Sequence, residues 1–550
     1  MEYLQKMSFF VSIISLKMNS KQKLYLSLLS GLLFIPAWYS WWGSGMLLFI
    51  AFIPLLLIQE ELLKTTKRSA AYFWLPYFSF FIWNLGTSWW LINASFVGLI
   101  AALLINSLMM TLPVWLSSIS HRKLGKRFGY FSLLFFWVAM EYFYLHAEIS
   151  WTWFNLGNGF ANDIKLIQWY EFTGTLGGTF WVISINLLLF KIFKGIRANQ
   201  KFSTYKFELI LSLLLVILPA GFSILKFYTY EEEVNPYEIV IVQPNIDPYQ
   251  KFNDIPTDEQ MQILLDISDS LVTAQTDYIV APETFINNNV WLHNLELNSS
   301  IIQIKNFLKD YPQTEMVIGA TTYQLYDSPL ASPTARPFRG NKYYDSFNSA
   351  LQIDTGNNIP IYHKSELVVG VEKMPYIQYL GFLQKLTLKL GGTFRSHGTQ
   401  EFRDSFTNPK DSLKVGPVIC YESIFGEFVT EYVKDAKANF IFVITNDGWW
   451  GDTPGYIQHN SYSSLRAIEN RRSIARSANT GISAFFDQRG EIHETLAWWE
   501  RGGIKSTLNA NSKMTFYTLH GDYFGRIAMA LSVILLLYTI VIMFIGPRKN

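Results

Sequence analysis

Val415-Gly416-Pro417-Val418-Ile419-Cys420-Tyr421-Glu422-Ser423 sets an apolar run of strand length directly against a cysteine and an acid. A short apolar run bounded by polar residues reads as a buried strand. Cys420 is the only cysteine in the chain, which excludes an intramolecular disulfide, a Cys-rich zinc site and a CxxC redox pair. A lone cysteine behind such a strand reads by default as a small buried hydrophobe. The alternative is a nucleophile held at a strand end, with the next backbone N–H groups aimed at a developing oxyanion.

Outward from Cys420, further strand-like runs cover 238–243, 278–281, 316–320, 347–353, 440–445 and 482–486. Helical patterns at 259–274, 300–311 and 461–478 separate several of them. Strands alternating with helices predict a sheet covered by helices. The stretch 326–344 carries Pro329, Pro333 and Pro337 and reads as a loop. The segment 372–398, apolar at Tyr379, Leu380, Phe382 and Leu383, does not read as a strand, and we take it as a mobile or membrane-touching loop.

Before residue 228 the composition changes. The whole chain of 550 residues is 50% hydrophobic and 16% charged, against about 25% charged in soluble domains. Residues 1–226 hold only 26 of the 88 charged residues. Apolar stretches near the ~20 residues that cross a bilayer occur at 24–41, 43–58, 71–91, 97–117, 128–146, 174–193, 208–227 and, after a long gap, 525–545. On alternate loops before residue 227, Lys and Arg divide 16 to 2. By the positive-inside rule both termini are cytoplasmic, and the large insert faces outward. The expected organisation is a cytoplasmic segment 1–23, seven helices in 24–227, an outer α/β domain in 228–524, and a last helix with its tail in 525–550. Residues 1–17 show no cleavable signal pattern, and Met18 is an alternative start. A net charge of +2 excludes a strongly basic nucleic-acid binder.

Candidates for a base and a cation stand at other strand ends. Glu283 follows the run 278–281 in Pro282-Glu283-Thr284, Lys364 opens Lys364-Ser365-Glu366-Leu367-Val368, and Glu372 lies eight residues further. Singly, each reads as a turn acid, a surface lysine and a loop charge. The eight histidines include no HExxH or other close ligand pair, so no metal is expected.

Glu, Lys and Cys in this order at strand ends resemble the nitrilase (carbon–nitrogen hydrolase) superfamily. An outward nitrilase-like domain between the last two of eight membrane helices is similar to the apolipoprotein N-acyltransferase family. The resemblance rests on Val242-Gln243-Pro244-Asn245-Ile246, Pro282-Glu283-Thr284, the Lys364 segment, Cys420-Tyr421-Glu422 and Asn446-Asp447-Gly448-Trp449-Trp450-Gly451-Asp452. It extends through Gln458-His459, Arg466-Ala467-Ile468-Glu469 and Arg476-Ser477-Ala478-Asn479-Thr480-Gly481. It implies an αββα sandwich beside an α-helical membrane bundle. Cys420 would be the acylated nucleophile, Glu283 the general base, and Lys364 the oxyanion's cation together with the Tyr421 amide. Glu372, Tyr421 and Glu422 would support them. Phe252, Tyr379, Phe382, Trp449 and Trp450 would touch lipid.

The resemblance further implies a monomeric multi-pass enzyme of the bacterial cytoplasmic (inner) membrane, with its catalytic domain on the periplasmic side and no cofactor. A phospholipid would give the acyl chain, and the diacylglyceryl-cysteine of an apolipoprotein would receive it. The chain departs from the family in having Val369-Gly370-Val371 before Glu372 in place of Pro-Phe-Gly, and Phe252 after Lys251 in place of Trp. Two other readings compete. A membrane-tethered amidase would use the same triad with water as acceptor. A polytopic transporter would need intramembrane charges, and the expected spans hold few, chiefly Glu141.

Overall fold

Asn19 accepts a hydrogen bond from the Gln22 amide at 2.9 Å while the Gln22 side chain accepts from the Asn19 amide. This reciprocal cap starts the first helix, Ser20–Phe34. The computed structural model describes residues 18–40, 43–65, 70–251, 254–373, 376 and 396–546. Phe252, Tyr379, Phe382, residues 1–17 and most of the expected membrane-touching loop lie outside the described residues.

The apolar stretches of the first 230 residues are helical. Among the described residues, six helices are long and apolar enough to cross a membrane: Ser44–Thr65, Phe96–Leu124, Phe128–His146, Tyr170–Arg197, Lys206–Thr229 and Tyr523–Ile545. The two remaining expected spans are the helices Ser20–Phe34 and Ala70–Ser88. The first has only 15 residues but continues as the 3-10 turn Ile35–Trp38, which brings its length to roughly the ~30 Å of a bilayer core. The second expected span is not one smooth helix. It runs as a 3-10 turn at Ser44–Leu47 and then helices Leu48–Ala51 and Ile53–Thr65.

A segment the sequence did not mark joins two of these helices. Between residues 146 and 170 the chain forms three 3-10 turns, yet Trp153, Phe154, Leu156 and Phe160 are fully buried. A buried loop must find partners for its backbone groups, and two acids supply them. Glu141 accepts from Trp137 Nε1, the Leu156 amide and the Thr179 hydroxyl at 2.6–2.9 Å. Asp163 accepts from the amides of Gly43 and Gly45. The intramembrane charge that a transporter would need is therefore engaged in holding a loop.

Fourteen strands among the described residues form two sheets. In the first, β14 (Gly502–Asn509), β1 (Pro236–Gln243), β2 (Thr276–Val280), β4 (Glu315–Tyr326), β6 (Tyr343–Ile353) and β5 (Arg336–Pro337) lie in that order. There β3 (Ile286–Trp291) also pairs with β4, and β7 (Ile361–His363) with β6. The second sheet runs β13 (Ile492–Leu496), β12 (Ser483–Phe486), β11 (Ile474–Ala478), β10 (Phe440–Thr445), β9 (Lys414–Ile419), β8 (Phe406–Thr407). Alternation along β1 explains the sandwich. Ile239 and Ile241 join Val415, Val418 and Phe442 in a core between the sheets, whereas Val240 and Val242 face Leu264, Ile301 and Ile304 of the covering helices.

One expected helix is corrected. The pattern at 461–478 divides into the helix Pro454–Asn470 and strand β11. Arg471 adopts φ 48° and ends the helix in a left-handed turn. Ala475 and Arg476 then pair in parallel with Phe442 and Val443 of β10.

Glu315, at the start of β4, is buried, and neither carboxyl oxygen has a hydrogen-bond partner among the described residues. Burial pushes its pKa from 4.5 up to about 8. Between those pH values the folded chain holds a proton that the unfolded chain has released. The stability it contributes is thus complete below about pH 4.5 and lost as pH rises through about 8. Glu315→Gln should match the parent near pH 4 and melt a few degrees higher at pH 8.5, read by thermal unfolding at both pH values. An offset independent of pH would refute this assignment.

Candidate active site

Parallel pairing puts the carboxyl ends of neighbouring strands on one edge, where α/β proteins gather their reactive groups. Strands β9, β10 and β11 are mutually parallel, as are β1, β2 and β4. Cys420 follows β9, Asp447 follows β10, Glu283 follows β2 and Lys364 follows β7. Asn348 comes from the middle of β6.

Lys364 is 1% exposed, and its Nζ lies 3.1 Å from Glu283 Oε1 and 3.0 Å from Glu372 Oε2. The Asn348 amide donates to Glu283 Oε1 at 2.8 Å and to Glu372 Oε1 at 2.9 Å, and its carbonyl accepts from the Lys364 amide at 2.8 Å. Asn348 thus fixes all three charged residues. Burial works against the Lys364 ammonium, but Glu283 and Glu372 more than offset it and hold its pKa well above the ordinary lysine value. Burial likewise raises Glu372, yet Lys364 wins and keeps it below the usual carboxylate range. Lys364 is thus held charged between two carboxylates, and Glu372 is held ionised beside it.

Cys420 is half-buried and adopts φ 51°, a left-handed conformation uncommon outside glycine. Such strain recurs where a turn presents a reactive side chain. Burial, and next the charge of Glu283, push its thiol pKa up, with Lys364 opposing. The resting thiol is neutral and needs a base. Around it, Glu422 accepts from the Ile419 amide at 2.8 Å, the Ser365 amide at 2.7 Å, Tyr362 Oη at 2.8 Å and Tyr432 Oη at 3.2 Å. One buried carboxylate thereby ties the residue before the cysteine to the residue after the lysine.

The Cys420 turn and the helix Pro454–Asn470 also rest on the buried loop that joins two of the membrane-spanning helices. Tyr421 Oη donates to the Ser150 carbonyl at 2.9 Å. Trp153 Nε1 donates to Gln458 Oε1 at 2.7 Å, and Tyr462 Oη to the Trp153 carbonyl at 2.7 Å.

The sequence model of the carbon–nitrogen hydrolases matches residues 240–513, and that of the apolipoprotein N-acyltransferase N-terminal domain matches residues 26–188. The chain belongs to the apolipoprotein N-acyltransferase family. Its similarity to curated members spans nearly their whole length. It is 28% identical to the apolipoprotein N-acyltransferase of Chlorobaculum tepidum, over 93% of this chain and 96% of that one. It is 26% identical to that of Geobacter metallireducens (89% and 90% covered) and 24% identical to that of Thermotoga maritima (93% and 92%). As an apolipoprotein N-acyltransferase family member, the chain is an acyltransferase enzyme of the carbon–nitrogen hydrolase superfamily.

In this acyltransferase the structure gathers Glu283, Lys364, Glu372, Cys420, Tyr421 and Glu422 at one place. Trp450 instead packs against Trp90 and Trp153 of the helical part at 5.0 and 5.7 Å, and Trp449 lies against Tyr249 at 5.3 Å. Sequence reasoning gave no role to Asn348, Lys251, Asp447, His459 or Arg476. Lys251 is buried, donates to the Glu283 carbonyl at 3.3 Å, and burial lowers its pKa to about 7. Asp447 accepts from Arg476, and its Oδ1 lies 2.9 Å from His459 Nδ1. Cys420, Asp447 and His459 have potential metal-ligating atoms within 4.8 Å of one another. However, the Arg476 guanidinium lies 2.8 Å from Asp447 Oδ2 and 3.0 Å from His459 Nδ1, so a cation already occupies the electrostatic role a metal would take.

Glu422→Ala would strip a buried acceptor from three amides and two phenols, at about 1–3 kcal/mol for each group left unpaired. The variant should melt several degrees lower and acylate Cys420 at least tenfold more slowly in single-turnover assays. An unchanged acylation rate would show that the two strand ends do not depend on this tie.

Proposed function

We propose that the enzyme moves an acyl chain from a membrane phospholipid to the α-amine of the diacylglyceryl-cysteine of apolipoproteins, through a Cys420 thioester, as the last step of lipoprotein maturation. The observation that carries the reading is the buried Glu283–Lys364–Glu372 cluster beside a strained cysteine whose turn rests on the buried loop between two membrane-spanning helices. A soluble amide needs no such seat, whereas a lipid ester does.

Glu283 takes the thiol proton as Cys420 Sγ bonds to the ester carbonyl carbon. Once Glu283 is protonated, the Lys364 charge is no longer shared between two carboxylates, so it is released toward the oxyanion as that oxyanion forms. The Tyr421 amide is the second donor. Collapse breaks the ester C–O bond, and the Glu283 proton passes to the departing lysolipid alkoxide. The acceptor amine then attacks the thioester and gives its proton to Glu283. The amide product leaves, and Cys420 regains the proton. Orientation follows the 16-to-2 division of Lys and Arg, which favours an outer, periplasmic catalytic domain at 228–524. Two contacts agree with the grouping of loops onto two sides. Lys194 pairs with Glu60 at 2.7 Å on the basic side, and Lys165 donates to Tyr228 Oη on the opposite side.

Cys420→Ala and Cys420→Ser should abolish transfer from phospholipid to a diacylglyceryl-cysteine lipopeptide. Glu283→Gln and Lys364→Ala should each cost about 10²–10³ in rate. With saturating lipopeptide, mass spectrometry should find N-acylated peptide as the main product of the parent enzyme. Free fatty acid as the main product would instead identify a hydrolase of the amidase type.

A further inference from the structure

His459 lies on the side of Cys420 formed by the helix Pro454–Asn470 and the β10–β11 end of the second sheet, and it is fully buried. Its Nε2 is 3.3 Å from the Cys420 carbonyl oxygen and 3.0 Å from Ser423 Oγ. Ser423 Oγ itself donates to that carbonyl at 2.7 Å. A carbonyl can only accept, and Ser423 already donates to it, so a hydrogen bond from the ring to that carbonyl requires a proton on Nε2. On the other edge of the ring, Nδ1 is 2.9 Å from Asp447 Oδ1 and 3.0 Å from Arg476 Nη2. Asp447 also accepts from Arg476 at 2.8 Å and from Thr445 Oγ1 at 2.9 Å. Arg476 and Asp447 are themselves buried.

The ring faces are held as well. Trp153 of the helical part lies 5.7 Å from the imidazole, and Trp450 5.5 Å away in an edge-on arrangement. Every direction in which the imidazole could turn is thus opposed, and its one free act is to pull on the carbonyl of the nucleophile. A residue at φ 51° relaxes unless its peptide groups are anchored.

We propose that His459, locked by Asp447 and Arg476, is a positioning residue for the nucleophile. Its Nε2–H, with Ser423, anchors the Cys420 carbonyl and so holds the left-handed turn that presents Sγ to Glu283. The proposal rests on Cys420 being the acylated nucleophile. It differs from a packing role because it depends on one N–H at one position.

Glutamine can place an amide N–H near the Nε2 position, whereas asparagine reaches only as far as Nδ1. The full-length enzyme in phospholipid nanodiscs would be compared as parent, His459→Gln, His459→Asn and Ser423→Ala. Three quantities would be read: the acylation rate constant, KM for phospholipid, and the rate of alkylation by iodoacetamide, which reports Cys420 alone because the chain has no other cysteine. Misplacing a reacting atom by about 1 Å can cost on the order of 10²-fold. His459→Asn should therefore lose about that much in acylation and at least tenfold in alkylation, with KM changed less than threefold. His459→Gln should recover most of both rates, and Ser423→Ala should lose about three- to tenfold. Equal loss or equal retention in the Gln and Asn variants would overturn the proposal, as would slowed acylation with normal alkylation. If the Asn variant does not fold, the Gln and Ser423→Ala results decide by the same criteria. Failure of the parent enzyme to acylate Cys420 would instead refute the functional reading, and that result is distinct from any pattern among the variants.

Discussion

Lys364 is a charged group taken almost wholly out of water, and such a group persists only where partners replace its hydration. Glu283 and Glu372 supply the opposing charge, and Asn348 bonds both carboxylates and takes the Lys364 amide on its own carbonyl. The arrangement needs β2, β6, β7 and the loop at 365–373 to meet within a few ångströms, so the first sheet must be assembled before the site exists. The division of charge follows from the count. Two carboxylates share one ammonium, and burial together with the surplus negative charge pushes the pKa of the neighbouring thiol up. In the mechanism we propose, proton transfer to Glu283 shifts the balance toward the oxyanion without any group having to move.

The second sheet supplies Cys420, and Glu422 is one of the links between the sheets, beside Ser477–Val242 and Ser483–Gln243. Its carboxylate reaches the amides on either side of the site, at Ile419 and Ser365. The helical part closes the third side. Ser150, Trp153 and the surrounding 3-10 turns meet the Cys420 turn and the helix Pro454–Asn470 through buried hydrogen bonds. Glu141 and Asp163 hold that buried loop in place. A chain of specific contacts therefore runs from membrane-spanning helices to the reactive sulfur, which suits an enzyme whose donor is a lipid.

Much of this was legible in the sequence, and the exceptions have physical causes. Cys420, Glu283 and Lys364 stand next to apolar runs, so their places at strand ends could be read. Asn348 could not, because it sits inside β6 where a polar residue normally signals a solvent-facing position, whereas here it is buried. Strand β14 was missed because Gly502, Gly503, Lys505, Ser506 and Thr507 carry no apolar alternation, and its order comes from antiparallel pairing along the whole of β1. The division at Arg471 escaped because helical periodicity continues past it, and one left-handed residue decides the boundary. The buried loop at 151–169 reads as an ordinary aromatic connection until Glu141 is seen satisfying its backbone.

Mass spectrometry of Cys420 in the purified enzyme tests the central claim most directly. After incubation with phospholipid and no acceptor, the peptide containing Cys420 should carry one acyl group, which adding a diacylglyceryl-cysteine lipopeptide should remove within one turnover. The Glu283→Gln enzyme should show almost none. Formation of N-acylated lipopeptide while Cys420 stays unmodified at every time point would contradict the account.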